Sequence, residues 1–253
     1  IVFRMDNLLN SISQDVKQKI FECISQAIGE DRQEADAHLG LRTHVSGPFL
    51  NWDLIYRNLM NSFGNENVKY SATVRGMWTV LLLYDVKSGL LISFMRDTRL
   101  DDIKRSKVEN QPQYVRSLIA LNEELQAPYK QQTLLGMETE SSQKESELAN
   151  ILDDLCANFD CHVNHKEVHH ALVCFSGKFG VLSSLKAYIL DKDLDVVCEQ
   201  DWLNTVKPVM SNTIETAEQC HDGPALSLKP KATKRLKEKE LVALKEQESE
   251  KQA

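Results

Sequence analysis

The stretch WTVLLLYDVKSGLLISFM, residues 78–95, decides the fold. Trp78 to Tyr84 is apolar almost throughout, as in a strand covered on both faces. Asp85, Lys87, Ser88 and Gly89 are turn formers. Leu90 to Met95 is apolar again, so the chain reverses and returns. Upstream, Val68 to Val74 alternates moderately and predicts a third strand, completing an antiparallel meander. A second block, Ala171 to Cys198, has the same texture. It predicts strands at His169–Phe175, Val181–Leu190 and Leu194–Cys198, joined by Gly-containing or Asp-rich turns.

Helical spacing surrounds both blocks. Ser13 to Ile28 places Val16, Ile20, Ile24 and Ala27 on one face, with Ser13 as N-cap and Gly29 as stop. Asp31 to Leu39 predicts a polar helix. Gly47-Pro48 predicts a turn, and Asn51 to Phe63 a helix closed by Gly64. Gln113 to Gln126 carries Tyr114, Leu118, Leu121 and Leu125 on one stripe. Ser142 and Glu145 form a capping box opening a further helix through Leu155. Trp202 to Val206 predicts a short helix before Pro208.

The expected class is therefore α+β. Antiparallel meander strands form one sheet of mixed strand order, with helices packed against it and a charged C-terminal tail. Residues 1–210 make one domain, 211–230 a linker, and 231–253 a Lys/Glu-rich tail, either helical or disordered.

The 253 residues, 42% hydrophobic and 26% charged, suit a globular domain. No apolar run approaches the ~18–20 residues that span a bilayer, so no membrane partner is expected. Scattered cysteines, two of them in apolar strand runs, indicate reduced cytoplasmic usage. The net charge of −7 argues against a surface coated for nucleic acid. The charge is uneven. Residues 229–253 hold eight Lys/Arg and five Glu (+3), leaving 22 basic and 32 acidic elsewhere (−10).

Cys156, Cys161, His165 and His169 offer four zinc-type ligands. Only three residues separate the two pairs, where a finger needs about a dozen, so a polar loop with half-buried cysteines is the stronger reading. His165 to His169 lacks the Glu beside the first His that a zinc protease requires. Ser176-Gly177-Lys178 follows a strand, but Leu172 and Phe179 stand where a phosphate loop needs Gly and Ser/Thr, so it reads as a hairpin turn. Asp85 and Lys87, with Asp53 or Glu66 upstream, form the acid-and-lysine set of a metal-dependent nuclease. Their place in a turn competes with that reading.

Arg75, Arg96, Arg99, Lys104, Arg105 and Lys107 form a candidate phosphate-contacting set, diluted by Asp97, Asp101 and Asp102. Gln132, Leu134, Leu135 and Met137 resemble the short peptides with which bacterial DNA-processing proteins dock onto the sliding clamp.

Leu41-Arg-Thr-His, Asn51-Trp-Asp-Leu-Ile-Tyr-Arg-Asn, Arg75-Gly-Met-Trp-Thr and Leu90-Leu-Ile-Ser-Phe-Met-Arg together resemble an uncharacterised bacterial family of cytosolic proteins, up to about Met210. The resemblance implies a bacterial origin and carries no activity and no functional residue.

The expected function is a cytoplasmic interaction protein of a bacterial accessory system, of phage-defence or toxin–antitoxin type, rather than an enzyme. A protein partner is expected, with nucleic acid or the sliding clamp as other partners. The alternatives are a metal-dependent nuclease and a zinc-stabilised module. No cofactor is expected outside those alternatives, which take magnesium and zinc respectively.

Overall fold

The computed structural model describes residues 8–40, 45–64, 67–106, 111–125, 142–159, 161, 163–164 and 167–206. All lie in the unit Ile1–Pro208. Glu66, Lys107, His165, the 132–137 peptide, the 211–230 segment and the 231–253 tail lie outside the described residues.

The first helix, α1 (Gln14–Ile28), starts as its sequence predicts: the Ser13 side chain accepts from the Val16 amide at 3.3 Å. Its buried stripe is Ile20, Cys23, Ile24, Ala27 and Ile28. At Gly29 the chain bends directly into α2 (Glu30–Leu39). A Cβ on Gly29 would sit 3.1 Å from the Gly180 carbonyl, so the bend fits closely against another turn. The third helix, α3 (Gly47–Ser62), begins earlier than its apolar pattern suggests. Gly47-Pro48 is its first turn and not a separate one, because proline needs no amide partner there. Buried Asp31 ties α2 to its neighbours, accepting from Asn58 Nδ2 at 2.7 Å, Arg57 Nη2 at 2.8 Å and Gln26 Nε2 at 3.2 Å.

The strands are β1 (Val68–Arg75), β2 (Trp78–Asp85), β3 (Leu90–Arg96), β4 (His169–Lys178), β5 (Val181–Leu190) and β6 (Val196–Asp201). They form one six-stranded sheet in sequential order, β1 to β6. This corrects the expected mixed order. Both meanders are present, but β3 and β4 run parallel, with Leu90 opposite His169 and Arg96 opposite Phe175. The reason lies in the connection. A chain that leaves β3, builds helices over one face and returns to the start of the neighbouring strand makes a parallel crossover.

That crossover contains α4 (Asp97–Arg105), α5 (Gln113–Ala120) and α6 (Ser142–Cys156). The α4 segment reads as a mixed-charge loop in sequence, yet it is helical. Leu100 and Ile103 are buried one turn apart, Asp97 lies in the first turn, and Lys104 and Arg105 lie in the last, as the helix dipole favours. The expected short helix at Trp202–Val206 is instead a turn, with the Thr205 and Val206 amides both bonded to the Trp202 carbonyl.

Side chains alternate between two cores. Leu90, Ile92 and Phe94 of β3 and Ala171, Val173 and Phe175 of β4 pack with α1 and α3. On the other face Leu91 packs with α5 and α6, and Met95, Leu172 and Cys174 pack with α4 and α5. This explains why both strands read as continuous apolar runs. The outer edge of β1 is partly closed by the end of α6: Ser71 Oγ donates to the Leu155 carbonyl at 2.6 Å, and Asn158 Nδ2 to the Ala72 carbonyl at 3.0 Å.

One buried cation is unusual. Lys17 on α1 is 5% exposed, donates to Gln200 Oε1 at 2.8 Å and lies over the Trp202 ring. Burial lowers its pKa. An ammonium desolvated against an amide and a ring gains little beyond its stem packing. Lys17→Met is expected to keep stability within about 1 kcal/mol of the parent or to raise it. Urea unfolding checks this, and a loss of several kcal/mol would show that the charge itself is needed.

Candidate functional site

Strand register sorts the candidate residues between two ends of the sheet. At one end lie the β1–β2 turn (Gly76-Met77), the end of β3, the start of α4 and the β4–β5 turn (Phe179-Gly180). At the other lie the β2–β3 turn and the start of β4.

The nuclease set is divided between these ends. Asp85 is seven residues along β2 from Trp78, roughly 23 Å at strand rise. Asp53 is one helical turn from Phe49, whose ring stacks on Trp78 at 5.0 Å. Asp85 is buried, and its carboxylate accepts from Ser88 Oγ at 2.7 Å and from the Lys87 amide at 3.3 Å. Those bonds build the turn, while the Lys87 side chain is exposed.

The basic set also disperses. Arg75 reaches Asp154 of α6 at 3.8 Å. Lys104 lies over the Tyr188 ring. Arg99 and Arg105 are on the exposed side of α4. Arg96 lies at the mouth of a cleft.

Of the candidate zinc ligands, Cys156 ends α6, and it and Cys161 pack against the same apolar cluster. Burial pushes the Cys156 thiol up to about 12, so it rests as the neutral thiol. His169 Nδ1 lies 3.3 Å from the Leu121 carbonyl. Among the described residues, no group of three or more His, Cys, Asp or Glu is arranged to hold a metal ion.

Sequence reasoning missed what the first end of the sheet presents. The β1–β2 turn puts Met77 at its tip, 87% exposed, beside half-exposed Trp78 and 74%-exposed Val74. Gly76, at φ +64, supplies the turn's positive φ. The β4–β5 turn puts Phe179 at its tip, fully exposed, next to exposed Val181. Phe179 has φ +53 and Gly180 φ +79. Two positive φ values in a two-residue hairpin favour Asn-Gly, so a bulky aromatic at the first position is strained. The two tips are three strand spacings apart, roughly 14 Å. The sequence signal was available: an aromatic before a hairpin glycine, where Asn or Asp is expected.

Beside the β4–β5 tip, and lined in part by Phe179 and Gly180, lies a cleft of about 360 Å³. It opens at the carboxyl ends of β3 and β4, between α2, α3, the first turn of α4 and the β4–β5 hairpin. Arg32 forms one wall. Its Nε bonds Asp36 at 2.9 Å, and its Nη1 bonds the Gly47 carbonyl at 2.7 Å and Asn51 Oδ1 at 3.0 Å.

Among the described residues, no helix is long and apolar enough to cross a membrane. Residues 9–244 match a family model described as "Family of unknown function (DUF5986)". No curated protein and no solved structure matches the chain.

Proposed function

The chain belongs to that family of unknown function, DUF5986, and from this premise we propose that it is a protein-binding module whose contact surface is the hairpin-tip end of its sheet. The observation that carries this reading is Phe179, fully exposed at a turn position that disfavours it. An aromatic that costs backbone strain and packs against nothing is retained for something outside the chain. Val181 is exposed beside it, and Val74, Met77, Trp78 and Phe49 add exposed apolar side chains at the same end of the sheet. Aromatic and Met side chains are the residue types enriched in interface cores. The partner that fits is a protein with an apolar recess. We place this activity in the cytoplasm of a bacterium, within an accessory system of phage-defence or toxin–antitoxin type.

Two variants test the reading. Phe179→Asn relieves the turn and is expected to raise the unfolding free energy by about 1 kcal/mol while weakening partner binding. Trp78→Glu is expected to leave the fold intact and abolish partner binding. Affinity purification with mass spectrometry identifies the partner, and calorimetry with that partner gives the affinities. Equal affinity for parent and both variants overturns the proposal. Retention of single-stranded DNA or RNA by the same surface, lost at high salt, would replace it with a nucleic-acid reading.

A further inference from the structure

We propose that the cleft beside the β4–β5 tip is a binding site for a small phosphate monoester of about nucleotide size. This goes beyond the protein-contact reading and stands on Arg32, Arg96, Asp97 and Lys178, the two sites sharing only Phe179 at the cleft's edge. The cleft's volume is within the range of small-ligand sites. It lies at the carboxyl ends of the two parallel strands, the position at which open α/β sheets take ligands.

The electrostatics select an anion. Arg96 and Lys178 face the cleft from the ends of β3 and β4. Neither makes an ion pair or a side-chain hydrogen bond among the described residues. Arg32 is held in the wall by Asp36, Asn51 and the Gly47 carbonyl, an arrangement that fixes a guanidinium in advance of any ligand. The first turn of α4 adds backbone donors. Its N-cap is Arg96, which cannot accept, and no cap side chain takes those amides.

The acids set the limit. Asp36 is paired with Arg32, and Asp97, in the first turn of α4, also lines the cleft. Three cations against two carboxylates leave the site positive by one charge. A phosphate monoester gains most from such a site, because bidentate arginine and helix amides match its oxygens. The ring of Phe175 and the hairpin backbone from Ser176 to Gly180 leave apolar and polar wall for the rest of the ligand.

The test is isothermal titration of the full chain with inorganic phosphate, AMP and adenosine. AMP is expected to bind, phosphate more weakly, and adenosine not at all. Arg96→Gln and Lys178→Gln, both on solvent-accessible side chains, should each weaken AMP by about tenfold. Asp97→Asn should tighten it severalfold by removing the opposing charge, a gain that no loss of fold can imitate. Trp78→Glu should leave AMP binding unchanged, which separates this site from the partner surface. Absence of AMP binding at millimolar concentration overturns the proposal. So does binding that none of the three cleft variants alters, or adenosine binding as well as AMP.

Discussion

Asn122→Ala is expected to lower the unfolding free energy by about 3–5 kcal/mol. Asn122 is fully buried in the turn that follows α5. Its Nδ2 donates to the His170 carbonyl and to the Leu190 carbonyl, each at 2.9 Å, and its Oδ1 accepts from the His170 amide at 2.8 Å. The β4–β5 pairing runs from Lys178↔Val181 to Leu172↔Tyr188, and His170 and Leu190 lie just beyond it. The side-chain amide stands in for a peptide group where the strands part, and ties the crossover to the sheet. Alanine would leave three buried backbone groups without this partner in a place too closed for easy rehydration. Asn122→Asp keeps only the acceptor and points a carboxylate at two carbonyl oxygens, so it should be at least as damaging. Urea unfolding of both variants checks this. A loss below 1 kcal/mol would show that the clamp is dispensable.

Acid should destabilise the protein through His170, beginning well above the usual carboxylate range. His170 is buried, its Nε2 lies 2.8 Å from Ser93 Oγ, and burial lowers its pKa to about 3 from an ordinary 6.5. The folded protein therefore resists a proton that the unfolded chain accepts below pH 6.5. The stabilising difference is complete above that pH and is lost as pH falls toward 3, at about 1.4 kcal/mol per unit. Between pH 6.5 and 5 the loss is about 2 kcal/mol, before most carboxylates titrate. His170→Gln lacks the titrating group and should show a flatter profile over that interval. Parallel profiles for parent and variant would remove His170 as the cause.

The parts of the fold that were legible in sequence are those whose signal is local. Trp78–Tyr84, Leu90–Met95 and Val181–Leu190 announce themselves because each is a short apolar run between turn formers. The start of α1 is legible because Ser13 caps it within three residues. The α4 helix was not, since only Leu100 and Ile103 are buried among charged neighbours. The parallel junction of β3 and β4 was not, because strand order depends on where a long connection returns. The site was less legible still. Arg96 and Lys178 look like ordinary surface charge until the register brings their strand ends together. Phe179 did carry a local signal, an aromatic before a hairpin glycine, but the close approach of Gly29 to Gly180 joins segments far apart in sequence and has none.

The sequential strand order also bears on how the chain folds. Each meander, β1–β3 and β4–β6, pairs residues close in sequence, so each can zip with small loop-closure entropy. Among the strand pairings, only the seam between β3 and β4 joins distant segments. The expected slow step is then the docking of the two half-sheets, with the helical crossover as the tether that sets their effective concentration, and lengthening that tether should slow refolding in stopped-flow measurements.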